Sequence, residues 1–98
     1  MLTKKFLKTK AVCDVTFEYD GDGETAALAG DFNNWEPQPM TKAKKAGSPF
    51  RMKVRLPKNE EFQFRYLIDD KNWKNDSAAD AYRTNEHGSE NGVVVTTA

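Results

Sequence analysis

The sequence predicts an all-β fold, an antiparallel sandwich of about seven or eight short strands. Three observations carry that prediction. Phe50–Leu56 alternates apolar and polar residues without a fault, and Glu61–Ile68 repeats the pattern with Phe62, Phe64, Tyr66 and Ile68, the period of a half-buried strand. Turn signals recur at roughly ten-residue spacing, as in sandwich domains. No stretch supports a helix longer than a turn, with Ser77–Asp80 the one candidate for even that.

The elements follow in chain order. Residues 1–10 hold Lys4, Lys5, Lys8 and Lys10 and no acid, so they read as a solvated basic arm, with a polyanion-binding tail as the competing reading. Residues 11–98 are then the β-sandwich domain. Cys13, Val15, Phe17 and Tyr19 alternate with Asp14, Thr16 and Glu18 and form the first strand. Asp20-Gly-Asp-Gly23 is a turn, since Gly and Asp tolerate positive φ. Thr25–Gly30 is a strand of small residues, with Leu28 and Phe32 as inward anchors. Phe32–Lys45 is polar and carries two prolines. Pro49 and Pro57 bracket the Phe50–Leu56 strand, where proline deletes no ladder hydrogen bond. Phe50, Met52, Val54 and Leu56 face the core. Pro57–Glu60 has the size of a hairpin loop, leading to a strand that turns Phe62, Phe64, Tyr66 and Ile68 inward and Gln63, Arg65 and Leu67 outward. Ser77–Asn91 is a long run of small and polar side chains, the kind of loop that is functional or disordered. Gly92–Thr97 is dense in β-branched residues and closes the fold as a strand. An immunoglobulin-like sandwich is the common architecture at this length. The disulfide–tryptophan signature of antibody domains is absent, because Cys13 is the one cysteine.

Composition narrows the function. Lys plus Arg is 15 and Asp plus Glu is 15, so the net charge is zero. No global field draws the chain to nucleic acid or to an anionic membrane. There is no secretory apolar run and no segment of membrane-helix length, and a lone cysteine fits a reducing compartment. The expectation is a soluble cytoplasmic protein. A chain of 98 residues cannot hold a barrel enzyme of roughly 250. Asp69, Asp70, Asp76 and Asp80 read as solvated turn acids rather than a glycosidase pair. Asp20–Glu24 lacks the spacing of a calcium loop. His87 stands alone, so neither a zinc site nor a nucleophile–histidine pair is expected, and no cofactor is.

The two tryptophans carry the functional signal. Trp35 lies in Asn33-Asn-Trp-Glu-Pro37 and Trp73 in Asp69-Asp-Lys-Asn-Trp-Lys-Asn-Asp76. Large apolar rings in polar turns either fold back over the core or cover something external. An exposed indole face matches the C–H face of a pyranose ring. Bases also stack on indoles, but phosphate binding needs a basic groove that a neutral chain lacks.

Ala29-Gly-Asp-Phe-Asn-Asn-Trp35, then Phe62-Gln-Phe-Arg-Tyr-Leu-Ile-Asp69 with Trp73 close behind, then Asn91 before a valine-rich strand, resembles the family-48 carbohydrate-binding modules. These include the N-terminal early-set domains of isoamylase and branching enzymes and the glycogen-binding domain of the AMP-activated kinase β subunit. The resemblance runs from about residue 11 to residue 97. It implies an early-set immunoglobulin-like fold that binds glycogen, starch or maltooligosaccharide. It also implies that Trp35 and Trp73 stack on glucose while Arg65, Asn91 and Ser89 bond its hydroxyls. Arg65 stands where the family has Lys, His87 replaces an apolar residue and is a further candidate sugar-binding residue by that position, and the turn carrying Trp73 is one residue longer.

The expected function is therefore non-catalytic binding of α-1,4-glucan. The alternative is a stand-alone regulatory module docking on a glucan-metabolising enzyme, such as a glycosidase or branching enzyme in trans, with the indoles as interface anchors. A hydrolase is the third and weakest reading.

Overall fold

The computed structural model describes residues 2–21, 23–42, 47–85 and 88–97. They form two antiparallel sheets packed as a sandwich. One sheet has four strands: β1 (Leu2–Phe6), β2 (Val12–Tyr19), β5 (Thr41–Lys42) and β6 (Phe50–Pro57), in the order β1-β2-β6-β5. The other has six: β3 (Ala26–Gly30), β4 (Gln38–Pro39), β7 (Glu61–Ile68), β8 (Asn72–Lys74), β9 (Ala81–Thr84) and β10 (Glu90–Val95). Its order is β4-β3-β7-β10-β9, with β8 also paired to β7. A single turn of 3-10 helix, Asp31–Asn33, follows β3.

The alternating strands behave as their pattern requires. Along β6, Phe50 and Leu56 are buried while Arg51, Lys53 and Arg55 are exposed. Along β7, Phe64, Tyr66 and Ile68 are buried. The core between the sheets joins them to Cys13, Val15, Phe17, Leu28 and Val94, with Phe32 packed at its edge. Aromatic edges meet there, with Phe17 and Phe64 centroids 5.0 Å apart and Phe64 and Tyr66 5.7 Å apart, the edge-to-face geometry that ring quadrupoles favour.

Several expectations need correction. The arm expected over residues 1–10 is not free at Leu2–Phe6, which pairs along β2, with Leu2 and Phe6 packed on the core. Its lysines mask the alternation, and Lys4 is tied to Asp80 by a 2.6 Å ion pair. The long polar stretch after Ser77 contains β9, which pairs along β10, and Phe32–Lys45 contains β4 and β5. Ser77–Asp80 forms no helical turn. Asp76 is not a solvated turn acid. It is 3% exposed and accepts the Tyr66 hydroxyl at 2.8 Å and the Ala78 N–H at 2.8 Å. Burial against that carboxylate pushes the Tyr66 phenol far above its ordinary range. Among the described residues, no helix is long and apolar enough to cross a membrane.

Candidate functional site

The outward face of the six-stranded sheet carries an open pocket of about 490 Å³. Its walls come from the turn after β3, from β7 and β8, and from the segment around β10.

The first wall is built by sequence chemistry at the end of β3. Gly30 passes so close to β7 that a Cβ there would stand 2.6 Å from the Gln63 carbonyl oxygen. The Asn33 side chain then folds the turn, accepting the Gly30 N–H at 3.0 Å and donating to the Leu28 carbonyl at 3.2 Å. Asn34 and Trp35 both adopt positive φ, 57° and 59°. Asn tolerates this region, but a bulky residue rarely enters it without being held. Trp35 is held twice. Its backbone N–H donates to the Gly30 carbonyl at 2.9 Å, and its indole Nε1–H donates to Asp31 Oδ1 at 2.9 Å. Asp31 Oδ2 accepts the Gln63 backbone N–H at 2.8 Å.

The second wall is the β7–β8 hairpin. Asp69 and Asp70 take positive φ, a conformation that suits tight hairpin turns. The turn is anchored from outside, since Asp69 Oδ1 accepts the Glu24 and Thr25 N–H groups at 2.8 and 3.0 Å. Those bonds favour its ionised form and lower its pKa. The hairpin sets Trp73 directly across from Leu67 on β7, where the ring is 41% exposed. The sequence places Trp73 in a polar turn; the structure places it on a strand.

Between the two indoles lie Arg65, Gln63, Asn85 and Asn91. Arg65 points off the core as its alternation with Phe64 and Tyr66 requires. Its Nε is buried and has no hydrogen-bond partner among the described residues. Asn91 is only 7% exposed. Its amide donates to Gln63 Oε1 at 3.0 Å and accepts from Asn85 Nδ2 at 3.3 Å.

Trp35, Arg65, Trp73 and Asn91 therefore converge on one pocket. Ser89 is exposed and does not line it. Its backbone holds Asn85: the Ser89 carbonyl accepts the Asn85 backbone N–H at 2.7 Å and the Ser89 N–H donates to Asn85 Oδ1 at 3.2 Å. His87 lies outside the described residues. Asp69, Asp70, Asp76 and Asp80 do not line the pocket.

The family model for the glycogen recognition site of AMP-activated protein kinase matches residues 13–98. The chain belongs to this family. A comparison with curated proteins finds no matching relative. As a module of the family-48 type, it has an early-set sandwich fold and membership in a glycogen-recognition family.

Three residues of this module's pocket escape sequence reasoning: Asp31, Gln63 and Asn85. Gln63 was within reach, because it shares Arg65's outward parity on β7. Asp31 sits inside the Gly-Asp-Phe-Asn-Asn-Trp motif, but nothing local shows that its carboxylate turns to the indole. Asn85 has no local signal, since its place depends on the loop that Ser89 closes.

Proposed function

We propose that the chain binds α-1,4-linked glucan without transforming it, with Trp35 and Trp73 as stacking platforms and Arg65 as a donor to sugar hydroxyls between them. The observation that supports this reading most is the convergence of both indoles and the Arg65 guanidinium on one open pocket. A neutral, hydroxyl-rich chain needs flat apolar faces and polar edge partners rather than a strong field. If each indole covers about 50–100 Å² of sugar, stacking contributes about 1–2.5 kcal/mol apiece. Hydrogen bonds open to water add about 0.5–1.5 kcal/mol each. After the cost of association, these terms correspond to a Kd between about 10 µM and the millimolar range. The many chain ends of glycogen raise the avidity further.

Asn91 takes a different part from the one the resemblance implies. Its buried amide holds Gln63 and Asn85 in place, so these two present amide groups to the ligand while Asn91 braces them. Ser89 acts one step further back, through Asn85.

The lining suits binding rather than glycoside cleavage. Glycoside cleavage uses a pair of carboxyl groups flanking the scissile bond, and among the described lining residues Asp31 alone carries one, with both oxygens accepting N–H groups.

The test is a titration of maltoheptaose into isotope-labelled protein, followed through the two indole N–H resonances. Both are expected to shift with one saturation curve. No shift at millimolar sugar overturns the reading. Partner capture from lysate that needs Trp35 and ignores added glycogen supports protein docking instead.

A further inference from the structure

We infer that Asp31 is a positioning residue that sets the geometry between the Trp35 ring and strand β7, and thereby the affinity of the pocket. The inference rests on the glucan reading above and adds a residue to it. Asp31 spends its two oxygens on two different walls of the pocket. Oδ1 accepts the Trp35 indole N–H at 2.9 Å and Oδ2 accepts the Gln63 backbone N–H at 2.8 Å. Gln63 stands two residues before Arg65 on the same face of β7. One carboxylate therefore fixes both the rotation of the stacking ring and its distance from the strand that carries the hydroxyl donor.

The turn needs such a clamp. Trp35 has φ of 59°, and its ring is held in a polar turn rather than inside the core. Without an acceptor for Nε1–H, the ring is free to rotate, and ligand binding must then bear the entropy of ordering it. A neutral acceptor at this place would hold it less well, because hydrogen bonds to an ionised carboxylate are the stronger kind.

The test is a double-mutant cycle with the intact chain and maltoheptaose, using Asp31→Ala and Trp35→Phe, whose ring has no N–H. Asp31→Ala alone is expected to weaken binding about three- to tenfold, the scale of one charge-assisted hydrogen bond partly open to water. Most of that loss disappears in the Trp35→Phe background, because the two residues act as a unit. Asp31→Asn, which keeps one acceptor oxygen, recovers part of the affinity. In parallel, the Trp35 indole N–H resonance moves upfield and exchanges faster with solvent in Asp31→Ala, while that of Trp73 stays in place. Equal losses in both backgrounds, or an unmoved Trp35 resonance, overturn the inference. If Asp31→Ala does not fold, Asp31→Asn carries the same cycle. If the unmutated chain does not bind maltoheptaose, the glucan reading falls, and the indole resonance still decides whether Asp31 orders the ring.

Discussion

The Asn91 side chain donates to Gln63 Oε1 at 3.0 Å from a position that is only 7% exposed. A residue so placed is a brace before it is a ligand contact. Asn91→Ala removes the hydrogen bonds to Gln63 Oε1 and from Asn85 Nδ2. Stability should fall by about 0.5–1.5 kcal/mol, the net worth of a hydrogen bond between half-buried groups, read from urea denaturation. Maltoheptaose binding should weaken with it. A variant as stable as the parent but deficient in binding would return Asn91 to direct sugar contact.

The two tryptophans should separate binding from stability. Trp73 is 41% exposed on a three-residue strand, so Trp73→Ala should change unfolding free energy by no more than about 0.5 kcal/mol. Its binding should drop roughly 5- to 70-fold, the equivalent of about 1–2.5 kcal/mol of lost stacking. Trp35→Ala should lose a similar factor and also release the Asp31 carboxylate. Calorimetric titration with maltoheptaose reads both. Unchanged affinity in Trp73→Ala would remove that ring from the platform.

Legibility in the sequence tracked how local the cause was. The faces of β6 and β7 follow from alternation alone, because a period of two decides which side chains meet the core. The turn that carries Trp35 was equally visible, since Gly30 and Asn33 are the residues such a turn requires. β1 was hidden because Lys4 stands between Leu2 and Phe6, the two residues that dock it, on the same face of the strand. β9 was hidden because Ala81–Thr84 gains its strand state from pairing with β10, not from its own composition. The burial of Asp76 was invisible for a related reason. Its partner Tyr66 lies on β7, and only the packed sandwich brings the phenol and the carboxylate together. Asn85 is held by one backbone bond and one side-chain bond to the Ser89 backbone, which no residue pattern encodes.

Acid should destabilise the fold through two carboxylates. Asp14 is held below the ordinary carboxylate range, first by its side-chain hydrogen bond with Arg55 directly across the sheet, at 2.8 Å. Asp69 is held low by the Thr25 and Glu24 N–H groups. A carboxylate with a depressed pKa in the folded state stabilises that state above its unfolded value, near 3.9 for Asp. The contribution is lost as pH falls from about 4 through the folded values. Chemical denaturation at stepped pH should show stability falling in that window. Asp14→Asn and Asp69→Asn should each flatten the slope. A slope unchanged in both variants would place the acid sensitivity elsewhere.

Gly30 links the fold to the pocket most directly. Its φ of −171° is ordinary extended backbone, so the requirement for glycine is one of space. A Cβ would lie 2.6 Å from the Gln63 carbonyl oxygen and 2.8 Å from the Phe32 ring. The ring can shift, but the carbonyl belongs to β7 and cannot move without disturbing that strand's pairing. Gly30→Ala should therefore cost about 1–3 kcal/mol of stability, as overpacking does. The same displacement pushes the Asp31–Trp35 turn away from β7 and lengthens the Asp31–Gln63 bond, so binding should weaken even at temperatures where the variant is fully folded. A thermal melt and a maltoheptaose titration on the same sample separate the two effects. Lost stability with full affinity would mean that the turn follows the strand as a rigid unit, and that the 2.8 Å contact between Asp31 and Gln63 survives the shift.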